Sequence, residues 1–142
     1  MTRQESDLTY KSVADLAQLI ANGQLSPRDI VQASLDRISQ LDSSLNAFLD
    51  VWEEESLLSA RTAENEIASG RYLGPLHGIP VGLKDLIDVK GTPTTGGSKV
   101  LAQNIAGSDA TVTAKLKAAG AIIIGKLNLV EFASGTTGAN PT

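Results

Sequence analysis

Lys84 is the side chain in this sequence best placed for chemistry. It follows Ile-Pro-Val-Gly-Leu, an apolar candidate strand over 79–83, so it stands at the C-terminal end of that strand. That is the edge at which parallel sheets generally bind ligands. An ammonium among apolar neighbours loses solvation, which lowers its pKa and can leave a neutral amine able to accept a proton near pH 7. Asp85 faces the other way if the strand continues, so adjacency alone does not make it the partner of Lys84. Taken by itself, Lys84 is also read as a surface or snorkelling side chain, the commoner fate of a single lysine.

Other candidate chemistries fail on residue type. There is no cysteine and one histidine, His77, so thiol nucleophiles, disulfide frameworks, thiolate zinc sites and histidine metal clusters are excluded. His77 has no serine in a Gly-x-Ser-x-Gly elbow to serve, and it reads as a loop histidine bonding backbone. Gly120-Ala-Ile-Ile-Ile-Gly125-Lys126 imitates a phosphate-binding loop, but Leu127 stands where a magnesium-binding hydroxyl is needed. Three isoleucines make that stretch a buried strand, not a flexible cradle. Gly91-Thr-Pro-Thr-Thr-Gly-Gly-Ser98 neither follows a clear Rossmann strand nor opens a helix in register, so it reads as a structural loop.

The elements that must position Lys84 follow from periodicity and punctuation. Val13, Leu16, Ala17 and Ile20 keep a helical period. Ser26-Pro-Arg-Asp supplies a cap, a proline at the first helical position and an acid in the first turn of a second helix, whose apolar face is Val31, Leu35, Ile38 and Leu41. A short strand is expected over 47–51. Glu53 to Glu55 then open a third helix, where the dipole favours negative charge, and Gly70 is its expected C-cap. Asp109 or Ser108 is expected to cap a fourth helix carrying Val112, Leu116 and Ala119, ended by Gly120. Ala121 to Ile124 is a buried-strand run, and strand, loop, helix and strand in that order predict a right-handed parallel crossover. Gly135 to Thr142 has loop composition, and an apolar parallel strand needing cover on both faces marks the front of a larger domain.

The 142 residues are 42% hydrophobic and 20% charged, an ordinary globular composition. The net charge of -4 divides into five basic and twelve acidic side chains over 1–70, against seven and four over 71–142. The acidic first half argues against nucleic-acid binding there, and the later lysines are scattered among apolar runs instead of forming a patch. A polar N-terminus and the lack of a membrane-length apolar stretch point to a soluble cytoplasmic protein with no membrane partner.

Gly74-Pro-Leu-His-Gly-Ile-Pro-Val-Gly-Leu-Lys-Asp85 closely resembles the amidase signature family. The resemblance continues through Gly91 to Ser98, Asp109-Ala-Thr-Val, Leu116-Lys-Ala-Ala-Gly-Ala, Ile124-Gly-Lys-Leu-Asn-Leu-Val-Glu-Phe-Ala and Gly135-Thr-Thr-Gly-Ala-Asn-Pro, and it reaches back to Leu45-Asn-Ala-Phe. It implies an α/β fold, the N-terminal portion of a mixed sheet flanked by helices, with 1–70 its helical region and 71–142 the first part of its core. It also implies a Ser-cis-Ser-Lys triad that hydrolyses a small-molecule amide without cofactor or metal, with Lys84 in the lysine's place. The family's two serines lie downstream of Asn140-Pro141, so the stretch given carries the lysine alone and is expected to be inactive by itself. Ala133, Ser134 and Gly135 match the segment that lines the acyl side of the family's pocket. A stand-alone amidase, homodimeric in the manner of many enzymes, is one expectation, and the glutaminase component of a tRNA-dependent amidotransferase with its partner subunits is the alternative. Leu86 after Lys-Asp, and Leu129-Val-Glu-Phe, depart from the Asn and Met-Asp-Glu-Phe typical of that glutaminase and favour the amidase.

Overall fold

The computed structural model describes residues 8–135. Two helices begin as their serines require: Ser12 accepts the Asp15 N–H at 3.1 Å to start α1 (Val13–Ala21), and Ser26 accepts that of Arg28 at 3.0 Å to start α2 (Pro27–Leu45). α3 (Glu53–Ala68) has no side-chain cap and relies on its three leading glutamates to offset the dipole. Ser69 is its cap residue and Gly70 comes one position later, left-handed. The Gly70 N–H reaches the Ile67 carbonyl and the Arg71 N–H that of Glu66, both at 2.9 Å. Gly23 closes α1, and Gly120 closes α4 (Thr111–Ala118), with the same pair of bonds.

Three strands, β1 (Phe48–Val51), β2 (Pro80–Lys84) and β3 (Ile122–Leu127), form a sheet in the order β1-β3-β2. β2 and β3 are parallel, as the crossover pattern predicts, and β1 is antiparallel to β3, so the sheet is mixed and helices flank it. Ile122 and Ile124 pack under Val31 and Leu35 of α2 and Ala60 of α3. A second cluster joins Leu16, Ile20, Ile30 and Ile79. Val31 and Ile20 are fully buried, each contributing about 1.5–3 kcal/mol by leaving water. Leu41, placed on the buried face of α2 by its period, is instead exposed.

β3 is longer than its isoleucine run and carries a bulge. Val81 lies opposite Ile123, but Gly82 lies opposite Gly125, so one extra residue enters β3 between them. Strict alternation from Ile122 would send Lys126 into the apolar layer beneath α2 and α3. The inserted residue reverses the parity and moves Lys126 to the opposite face, beside Leu83.

The start of α4 differs from expectation. Ala110, whose methyl offers no acceptor, is the cap residue, and Asp109 is engaged elsewhere: it accepts the Lys90 N–H at 2.7 Å and pairs with Lys117 at 2.8 Å. These partners, Lys117 first, hold the Asp109 carboxyl below its ordinary value. Thr113, not Val112, is the buried residue of α4. Its hydroxyl donates to the Asp88 carbonyl at 2.7 Å, and Val112 is left exposed. The loop expected over 135–142 falls, beyond Gly135, outside the described residues.

Candidate active site

Lys84 ends β2 opposite Leu127 and is exposed. Among the described residues its ammonium has no hydrogen bond or ion pair. It opens into a cleft of about 460 Å³ formed by Asn46 and Ala47 after α2, by 127–130 after β3, and by Gly135. The apolar neighbours expected around Lys84 are present on one flank, as Leu127, Leu129 and Val130, but they do not enclose it.

Of the three residues matched to a substrate segment, Gly135 reaches this cleft, while Ala133 and Ser134 are exposed outside its lining. They lie on a tight turn at Glu131–Ala133 in which Phe132 and Ala133 are both left-handed, with φ of 52° and 56°. The turn is held by the Phe132 N–H on the Gly96 carbonyl at 2.7 Å and by the Ser98 hydroxyl on Glu131 at 2.6 Å. The glycine-rich stretch 91–98 is therefore a structural loop that buttresses the turn.

Asp85 turns away from Lys84, as strand alternation requires, and is buried with Lys126. The Lys126 ammonium donates to Asp85 Oδ1 at 3.2 Å, the Ile87 carbonyl at 2.9 Å and Thr94 Oγ1 at 3.1 Å, which uses all three of its protons. Asp85 Oδ2 accepts the Thr95 N–H at 3.1 Å and the Thr95 hydroxyl. In the sequence, Lys126 stands out only as the end of an imitation phosphate loop, and its role here was missed. The available signal was a lysine inside a buried strand run, which demands a buried acid.

His77 bonds backbone as expected. Its Nδ1 accepts the Leu73 N–H at 3.2 Å, and its Nε2 faces Glu66 at 3.2 Å. It borders a wider hollow of about 610 Å³ between α3, α4 and β3. Arg71 and His77 both face Glu66 and Lys117 pairs with Asp109, while Glu55 lines the hollow from α3.

The family model described as Amidase matches residues 29–142. The chain belongs to the amidase family. Among curated amidase-family relatives, it is 46% identical over 132 residues to the glutamyl-tRNA(Gln) amidotransferase A-subunit of Salinispora tropica, covering 93% of this chain and 27% of that protein. It is 41% identical over 140 residues to the same protein of Streptomyces avermitilis, covering 99% of this chain and 28% of that one. Among solved structures, it superposes on the native peptide amidase of Stenotrophomonas maltophilia with a TM-score of 0.81 and 37% identity, covering 88% of this chain and 26% of that one. A structure of fatty acid amide hydrolase matches with a TM-score of 0.84 and 30% identity, covering 91% and 23%. The chain thus spans about a quarter of the length of the relatives it matches. Its mixed sheet and flanking helices are the N-terminal part of the amidase signature fold.

Proposed function

We propose that Lys84 is the general base of an amide-hydrolysing site, and that residues 1–70 and 71–142 are the helical region and first core segment of one amidase signature domain. The observation that carries this reading is a lysine at the end of a parallel strand, without a partner among the described residues, facing a cleft that it shares with Gly135. In the mechanism that the family resemblance implies, the neutral amine takes a proton through a bridging serine from a nucleophilic serine. That serine attacks the amide carbonyl, an acyl-enzyme forms and the amine or ammonia leaves. Backbone amides hold the oxyanion. Both serines belong to the family's length beyond Asn140-Pro141. Gly135 lines the acyl side of the pocket in this reading, and Ala133 and Ser134, outside the cleft of the described residues, belong to the segment that leads to it. The partner is a small-molecule amide, the location cytoplasmic and the assembly a homodimer, with no nucleic acid bound directly.

A second reading is favoured by the relatives named as the A-subunit of glutamyl-tRNA(Gln) amidotransferase: the same chemistry releases ammonia from glutamine inside a larger complex. The test uses the protein extended through the remainder of the family's length. Lys84→Ala abolishes ammonia release from glutamine and propionamide with the fold intact, and Lys84→Arg does not restore it, because a guanidinium stays protonated. Wild-type turnover by Lys84→Ala refutes the role. Turnover of glutamine that rises only with amidotransferase partner subunits and charged tRNA selects the second reading, and unaided turnover of propionamide selects the first.

A further inference from the structure

Lys84 and the Ala133–Gly135 segment lie 49 residues or more apart in sequence, yet both are tied to Asp85. Asp85 is one peptide bond from Lys84, and its N–H is fixed on the Leu127 carbonyl at 3.0 Å. Its carbonyl accepts the Gly96 N–H at 2.8 Å, and the Gly96 carbonyl in turn accepts the Phe132 N–H at 2.7 Å, next to Ala133. The Asp85 carboxylate grips Thr95 through both backbone and hydroxyl, while Lys126 bridges it to Thr94 and Ile87. Both side chains of the ion pair are 3% exposed, so water does not compete with these bonds. Neither lines the Lys84 cleft. A buried ion pair is poor evidence for net stability, since desolvation offsets its attraction, and a geometric role accounts for it better.

We infer that Asp85, Lys126 and Thr95 are positioning residues: they fix the end of β2, the 91–98 loop and the 131–133 turn in one frame, and so set where Lys84 stands relative to Gly135 and the turn that leads to it. The inference rests on the reading of Lys84 as the base. They touch no substrate. Misplacing a reacting group by about 1 Å costs on the order of 10²-fold in rate, so loosening the frame lowers kcat while leaving ground-state binding largely intact.

The experiment again uses the protein extended through the family's length, assayed for ammonia release from glutamine and propionamide. Thr95→Val removes the hydroxyl but keeps the volume, and it lowers kcat about 10²-fold with KM little changed. Thr95→Ser, which returns the hydroxyl, restores most of the rate. Asp85→Asn combined with Lys126→Met removes both charges together, so neither is left buried and unpaired. It unfolds cooperatively but shows the same kcat loss. A folded Thr95→Val or double variant with parental kcat overturns the inference, as does a Thr95→Ser variant as slow as Thr95→Val. If the double variant does not fold, the two Thr95 variants decide. Lys84→Ala, run alongside, separates the two failures: parental turnover there refutes the base and the inference together, whereas its loss beside an unaffected Thr95→Val refutes the inference alone.

Discussion

Gly125→Ala tests the close approach of β1 to β3 directly. A Cβ at this position falls 2.2 Å from the Asp50 carbonyl oxygen and 3.1 Å from the Val51 Cα, both backbone atoms of β1. Real Cβ contacts essentially never fall below 3.0 Å, so β1 must retreat by about 0.8 Å, and no side-chain rotation relieves the clash. That retreat strains the pairing of Val51 with Gly125 and the Trp52 N–H bond to the Ile124 carbonyl, 2.9 Å long. Overpacking of this kind costs roughly 1–3 kcal/mol, and a weakened hydrogen bond adds about 0.5–1.5. The expected loss is roughly 2–4 kcal/mol. Trp52, the single tryptophan, sits at the affected junction, so urea unfolding followed by its fluorescence reads both the loss and the local change. Gly107→Ala is the control, because a Cβ there meets nothing within 4 Å, and it should stay within about 0.5 kcal/mol of the parent. A Gly125→Ala variant as stable as Gly107→Ala would refute the close approach of β1 to this position.

Two further outcomes are expected from the α4 crossover. Thr113→Val, nearly isosteric, should cost about 1 kcal/mol by equilibrium unfolding, near the usual value of one hydrogen bond, because the Asp88 carbonyl keeps its second donor, the Ala110 N–H; a loss above about 3 kcal/mol would show that the hydroxyl does more than bond Asp88. Asp109, whose folded pKa lies below its ordinary 3.8, contributes stability above that value and loses it as pH falls through the lower folded one. Asp109→Asn should therefore flatten the stability profile over that acidic window, by an amount that salt reduces since Lys117 is partly solvated, and an unchanged profile would refute the pairing.

The helices were legible because their signals are local. Ser26 with Pro27, the glutamates at 53–55 and the glycines at 70 and 120 act within one turn of themselves, and the structure shifts a boundary by a residue at most. Lys84 at a strand end was legible for the same reason, as was Asp85 on the opposite face. What escaped was whatever depends on a partner far along the chain. The bulge in β3 is defined by its register against β2, more than 40 residues earlier, and without it Lys126 could not be assigned a face. Asp109 reads as a helix cap until Lys90 and Lys117 are seen to claim it, and Thr113 reads as a polar position until the Asp88 carbonyl is found behind it. The cleft shared by Lys84 and Gly135 is likewise a product of three separate chain segments meeting.

The strand order has a consequence for synthesis. The central strand of the sheet is the last to be made, so while the ribosome delivers the first 121 residues neither outer strand of the described sheet has its neighbour. Both wait through the whole of α3 or α4, and non-local pairing of this kind slows folding and leaves strand edges open to other nascent chains. The two waiting strands are short and carry residues that discourage stray pairing. β1 has four residues and carries Asp50, and β2 has five, beginning at Pro80, which offers no N–H to a stray partner, and ending at a charged lysine. A proline at the start of β2 and a lysine at its end are residue types that discourage stray pairing at an open edge, before any cleft exists for Lys84 to face.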